Sequence, residues 1–312
     1  MFISEETLDD ALLQAYRHLL DLTGETVVAS RGENAEIIGA FIEIKNPRAR
    51  LSRSETRGKL FSSLGELLWY LSKDNRLDFI APYVPRYRDE TEDGETVYGG
   101  YGPRLFGHGG ADQVANVIRL LGERPSSRRA VIQVFDGSDI ATEHKEIPCT
   151  TTLQFFVRNE RVEMVVTMRS NDAYFGLPHD VFCFSMLQEI VARTLNRDVG
   201  AYRHFAGSLH LYTERWGDAQ HFVNEGYQQQ IAMPEMPAGD PWESIASVLA
   251  AEARARGGET FDASLLGLDN YWADLVRILQ IFFAKGDQSR IACLADQITF
   301  KRYRPYILSR LS

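Results

Sequence analysis

Apolar residues recur at helical spacing over residues 5–21, where Leu8, Leu12, Ala15, Leu19 and Leu20 fall on one side. That period predicts an amphipathic helix, ended by glycine and polar residues near Thr23 and Gly24. The pattern turns to β type in AEIIGAFIEI, passes through an arginine-rich loop, NPRARLSRSETRGK, and becomes a strongly apolar helix in LFSSLGELLWYLS. Residues 86–110, rich in Tyr, Gly and charge, read as an exposed loop region of the kind that carries function. RAVIQVF, TTLQFFV and VEMVVTM predict three strands, the last two joined by a turn over 158–161. A helix follows from near Pro178 to about Leu195, then a strand in AYRHFAGSLHLY and a helix around 214–224. Residues 226–268 change character, being rich in Gln, Met, Pro, Ala and Gly, and predict an inserted excursion or cover within a single domain spanning 1–312. NYWADLVRILQIFFAKGD returns to an amphipathic helix that docks on the core.

Composition narrows the function classes. The 312 residues, 44% hydrophobic and 11% aromatic, suffice for a substantial core. A formal charge of -9 argues against a general partner in nucleic acid or a membrane surface, although arginine clusters leave room for a small anion such as a phosphate. Cys149, Cys183 and Cys293 are too few and too scattered for a disulfide framework or a metal site. No apolar signal core or membrane-length apolar run stands out, so a reducing cytoplasm is the expected location.

The candidate chemistry starts at EIPCTTTLQFFV, which sets Cys149 after a proline at the mouth of a strand. Alone, such a cysteine reads as a small buried hydrophobe. Beside arginine-rich loops, positive charge is expected to lower its pKa and favour a nucleophilic thiolate. The segment MRSNDAYFGLPHDVFCFSMLQEIVAR then places Arg169 20 residues, and Asp180 31 residues, after Cys149; His210, in the next strand, comes 61 residues after it. Glu66 lies among apolar residues in LGELLWYL, where an unpartnered carboxylate is costly. Arg128 and Arg129 form a pair in SSRRAVIQV whose guanidinium forks match phosphate oxygens. His210 and Tyr212, two apart on a strand, share a face.

These motifs, held in one register, resemble the thymidylate synthase family: a Pro-Cys nucleophile, an Arg-Ser-x-Asp segment, a Gly-Leu-Pro turn and a His-x-Tyr pair. The resemblance covers most of residues 5–225 and the 226–268 stretch poorly. It implies an α+β fold with a mixed β-sheet covered by helices and a homodimer formed through sheet faces. It also implies catalysis by Cys149, Glu66, Tyr98 (of VYGGYG) and Asp180, with 5,10-methylenetetrahydrofolate as cosubstrate and no metal. A pyrimidine nucleoside monophosphate would be bound by Arg31, Arg169, Ser170, Asp180, His210 and Tyr212, with Arg128 and Arg129 lent by the partner subunit. Asp172 and Gly176 would meet the folate.

Asp180 stands where the synthases carry asparagine, which gives uracil one donor and one acceptor. A carboxylate offers acceptors alone unless protonated, which favours cytosine's amino group and a hydroxymethylated CMP or dCMP product. A uridylate methylase or hydroxymethylase with a protonated Asp180, and a catalytically silent nucleotide-binding protein, are the competing readings. Other departures are Thr150 for histidine, Phe135-Asp136 for Trp-Asn, Met168 for glutamine and Ser208 for aspartate.

Overall fold

The structure, a computed structural model, describes residues 1–22, 24, 26–29, 31–52, 59–308 and 310. Part of the arginine-rich loop, residues 53–58, therefore lies outside the described residues. Among them eight strands build one sheet: β1 (Phe2–Glu5), β2 (Thr26–Ala29), β3 (Gly32–Ile44), β4 (Val131–Gln133), β5 (Thr150–Arg158), β6 (Arg161–Met168), β7 (Asn171–Asp172) and β8 (Asp198–Tyr212). The order is β1-β3-β8-β6-β5-β4, with β2 on β3 and β7 on β8. β3 and β8 run antiparallel from Asn34↔Tyr212 to Ile44↔Tyr202, whereas β6 and β7 lie parallel to β8, so the sheet is mixed.

Twelve α-helices accompany it: α1 (Leu8–Leu20), α2 (Leu60–Leu71), α3 (Leu77–Ile80), α4 (Tyr87–Glu90), α5 (Tyr101–Phe106), α6 (Gln113–Glu123), α7 (Gly176–Thr194), α8 (Trp216–Glu225), α9 (Trp242–Arg256), α10 (Asn270–Phe283), α11 (Gln288–Gln297) and α12 (Arg304–Leu308). α7 packs on β6 and β8, α1 on β3, α2 on α7, α10 on α2 and α9 on α10. Alternation along the strands sends Phe155, Met164, Val166 and Tyr202 under these helices. Phe156, Val165 and Phe205 alternate with them and remain half-buried on the other face. The architecture is α+β. Among the described residues no helix is long and apolar enough to cross a membrane.

Several expectations change. The predicted first helix begins at Leu8, where Thr7 caps it by accepting from Asp10 N–H at 3.1 Å. The preceding residues are instead drawn into β1 by parallel pairing with Phe41–Ile44, a long-range contact that local periodicity does not register. The loop predicted over 86–110 contains α4 and α5, and RAVIQVF keeps ladder pairing over Val131–Gln133 alone. The 226–268 segment holds the 15-residue α9. Its Glu252, fully buried, accepts from Tyr83 Oη at 2.9 Å and pairs with Arg256 at 2.9 Å.

A second buried carboxylate ties the helical layer together. Glu189 of α7 pairs with buried Arg50 and, at 3.0 Å, with Arg48, and accepts from Met236 N–H at 3.1 Å. Burial pushes this carboxyl up, but Arg50, the Met236 amide and Arg48 together hold it below the usual range. Removing it with Glu189→Ala leaves two guanidinium groups without their shared anion, and we predict a loss of about 3–5 kcal/mol in unfolding free energy. Urea unfolding checks this, and a loss below about 1 kcal/mol contradicts it.

Candidate active site

The ends of β6 and β8, β7 and the first turn of α7 open into a cavity of about 850 Å³. Cys149 lines it immediately before β5, beside an irregularity in the β5–β6 register between Thr150 and Thr152. Arg169 leaves β6 opposite it. Its backbone N–H donates to Cys149 O at 2.8 Å, its Nε to Pro148 O at 3.0 Å and its Nη2 to Ile147 O at 3.1 Å. The same Nη2 stands 3.6 Å from Cys149 Sγ.

The cation is thus where the sequence suggested, yet the expected lowering of the thiol pKa does not follow. Burial pushes the Cys149 thiol up to about 11; Arg169 and Arg31 oppose this, while the charges of Glu146 and Asp180 add to it. Cys149 thus rests as a thiol, and a thiolate there would need a base to form.

Asp180 faces the same cavity from α7, 9% exposed. Asn171 Nδ2 donates to its Oδ2 at 2.7 Å, and burial together with the charge of Glu66 raises its pKa well above the carboxylate range. Gly176 permits this bond, because a Cβ there would stand 2.9 Å from Asn171 Nδ2. Glu66, buried on α2, accepts at Oε1 from Tyr70 Oη at 3.0 Å and Tyr87 Oη at 3.1 Å. Both phenols are raised by burial and by Glu66, so they remain donors. Asp172 Oδ1 accepts from the amides of Tyr174 and Phe175 at 2.8 and 3.3 Å, fixing the turn into α7.

The floor is the β3–β8 pair. His210 and Tyr212 meet edge to face at 5.1 Å, and burial lowers the His210 pKa against the charges of Asp172 and Glu36, leaving the ring neutral at physiological pH. Ser208 lies on the same strand, and Ser170 lines the wall beside Arg169. Arg31 reaches the cavity but donates from Nη2 to Glu90 Oε1 at 3.0 Å, which Arg86 also approaches at 3.3 Å.

One expected site residue, Tyr98, lies elsewhere, and the two arginines expected to serve a partner lie outside the chain's own cavity. Tyr98 does not line the cavity; its ring stacks on His144 at 3.6 Å, with Arg104 5.2 Å away. Tyr101, which opens α5, takes the place beside Cys149, accepting at Oη from Thr150 N–H at 3.1 Å. The second Tyr-Gly of VYGGYG was the available signal. Arg128 and Arg129 are exposed just before β4, away from the cavity, and Arg128 lines a separate surface groove. No residue of 226–268 lines the cavity; the segment backs its wall through Tyr83.

Sequence reasoning missed Glu146, three residues before Cys149. Burial and the charge of Glu90 raise it to about 7, with Arg31 and Arg169 opposing. It fits because residue 99 is glycine: a Cβ there would stand 2.0 Å from the Glu146 carboxylate. Adjacency to Cys149 in EIPC was its one signal, and a surface carboxylate was the commoner meaning.

Residues 54–247 match a family model described as thymidylate synthase. A deoxyuridylate hydroxymethyltransferase of Pseudomonas phage M6 is 35% identical over 157 residues, 49% of this chain and 45% of that protein. One of Bacillus phage SP01 is 28% identical over 235 residues, 70% of this chain and 61% of that protein. A thymidylate synthase of Francisella tularensis subsp. holarctica is 32% identical over 192 residues, 56% of this chain and 68% of that protein. The chain spans about half the length of the phage M6 protein and under two thirds of the phage SP01 protein.

A carboxyl whose pKa is raised on folding costs stability as it ionises. Between the unfolded value near 4.5 and the folded value of about 7, the native state holds a proton that the unfolded chain has lost, so stability falls as pH rises through that window. Glu146→Gln removes this contribution. The Tm advantage of the variant should therefore grow from pH 4.5 to 7 and level off above it; a difference independent of pH contradicts the assignment.

Proposed function

The chain belongs to the thymidylate synthase family, and from that premise we propose that it is a folate-dependent C5-hydroxymethyltransferase of pyrimidine nucleoside monophosphates that acts on cytidylate. The observation behind this reading is an acid, where the synthases carry an amide, facing the cavity at residue 180 with Oδ2 held by Asn171. Burial keeps it protonated, so the preference expected of an ionised carboxylate gives way to a pairing that serves cytosine and that uracil can also make. A neutral carboxyl donates once and accepts beside it. Against cytosine the acid proton meets ring N3 and the carbonyl oxygen accepts from the amino group.

The chemistry uses the same pairing. Glu146, poised near neutrality, takes the Cys149 proton, and sulfur bonds to C6. The C5=C6 electron pair moves to C4=C5 and the N3=C4 pair onto N3, where the proton of Asp180 lands. C5 becomes the nucleophilic atom. Methylenetetrahydrofolate, when bound, supplies the one-carbon unit. Departure of tetrahydrofolate from the new carbon as the C5 proton leaves, addition of hydroxide from water to that carbon, loss of the sulfur from C6 and return of the N3 proton to Asp180 would then give the hydroxymethyl product. Glu66, fixed by Tyr70 and Tyr87, orders water and proton transfer at the base, and Tyr101 stands beside the nucleophile.

The cavity fits the cosubstrate. Trp69, Val84, Pro85 and Phe175 offer an apolar wall for flat rings, and Asp172 Oδ2 accepts no hydrogen bond among the described residues, leaving an acceptor for ring N–H groups. Asp172 and Gly176 are the residues we assign to it. Arg169 and Ser170 hold the phosphate from one chain. Arg128 and Arg129, exposed and remote from their own cavity, serve that of a second copy packed on the half-buried face of Phe156, Val165 and Phe205. Arg31 joins them once phosphate competes with Glu90.

A uridylate substrate is the second reading, favoured by the names of the two phage relatives. A protonated Asp180 can also accept from uracil N3–H and donate to O4. Mass spectrometry of CMP, dCMP, UMP and dUMP incubated with protein and methylenetetrahydrofolate separates the two. We expect a 5-hydroxymethylcytidylate, absent with Cys149→Ala and reduced about 100-fold or more in kcat/KM with Asp180→Asn. A product from uridylates alone overturns the cytosine assignment, and no product from any of the four overturns the enzymatic one.

A further inference from the structure

We propose that Glu36 reads the sugar and that the substrate is a ribonucleotide. The inference rests on the reading of the cavity as a nucleotide site, and it deepens that reading by choosing between two sugars. Glu36 sits on β3 directly opposite His210 of β8, and both side chains line the cavity floor. Ser208 Oγ donates to Glu36 Oε1 at 2.5 Å, which fixes the carboxylate, while Oε2 accepts nothing and pairs with no cation among the described residues. The floor therefore presents an oriented anionic acceptor that lacks a donor.

Its chemistry limits what can lie over it. A phosphate is repelled. The base edge is taken by Asp180 on α7, and the reacting carbon by Cys149, so the part of the nucleotide left for the β3–β8 floor is the sugar. A hydroxyl is a neutral donor suited to an unpaired carboxylate, and carboxylates that accept from ribose hydroxyls recur in dinucleotide-binding folds. Deoxyribose brings one ring hydroxyl, for which neutral His210 and Tyr212 already suffice. Ribose brings a second. The synthases' Gly-Asp-x-His-x-Tyr motif places a carboxylate where Ser208 stands; here the carboxylate comes from the opposite strand.

A cross-strand hydrogen bond of purely structural value predicts something else, and paired nucleotides distinguish them. Calorimetric titration of the full chain with CMP against dCMP, and UMP against dUMP, reads the sugar preference whichever base is bound. The parent should bind the ribonucleotide of the preferred base about tenfold or more tighter than its deoxy counterpart. In Glu36→Gln this ratio should shrink toward one with the deoxynucleotide affinity little changed, and Ser208→Ala, which frees the carboxylate to rotate, should reduce it partially. Equal or tighter deoxynucleotide binding by the parent overturns the inference, as does a Glu36→Gln variant that weakens both members of a pair equally. Binding of none of the four removes the nucleotide reading of the cavity and this inference with it.

Discussion

Desolvation of acidic groups in the absence of a matching number of cations governs this molecule. Two buried acids on α7 show how the balance is decided. Glu189 is fully buried yet held ionised, because Arg50, Arg48 and an amide surround it. Asp180, nine residues earlier on the same helix, has a neutral amide for its hydrogen-bond partner and keeps its proton. Burial is common to both, so the guanidinium groups make the difference. One acid staples helices and loops together; the other remains a proton donor facing a cavity. Arg169 lowers the Cys149 thiol but does not cancel its burial, to which the charges of Glu146 and Asp180 add.

Much of this arrangement was legible in the sequence, for a physical reason. Asp180 and His210 lie in regular elements and Cys149 and Arg169 directly flank strands, so spacing along the chain translates largely into position in space. Cavity lining by Glu66, Asp172, Gly176 and Tyr212 was expected from the resemblance to the family, and the structure places all four on the cavity. The sense of the Cys149 shift was not legible, because it is a small difference between burial and opposing charges that come together only in the tertiary structure. The partner of Arg31, the environment of Glu146 and the choice of Tyr101 over Tyr98 share that origin. β1 escaped because its four residues owe their conformation to β3, some forty positions away.

The floor and the roof of the cavity are built by different means. β3 and β8 pair over nearly their whole length, and a rigid antiparallel ladder can place Glu36, Ser208, His210 and Tyr212 at set separations. The roof depends on short helices and tyrosines, with Tyr70, Tyr87 and Tyr101 kept neutral by burial. It meets the atypical segment through Tyr83 and Glu252, Phe106 and Trp242, and Phe79 and Arg256, so that segment supports the wall from behind.

Gly176 has a consequence for how such a site changes over time. The amide that orients the acid, the turn that starts the helix, the glycine that lets them approach and the acid itself all fall between Asn171 and Asp180. The surroundings of Asp180 are thus encoded in one short contiguous cassette, while Cys149 and the cavity's arginines are scattered over the rest of the chain. Exchange of that cassette between related scaffolds moves the acid and its partners at once, whereas stepwise replacement of its members passes through forms in which a buried donor or acid has lost its partner.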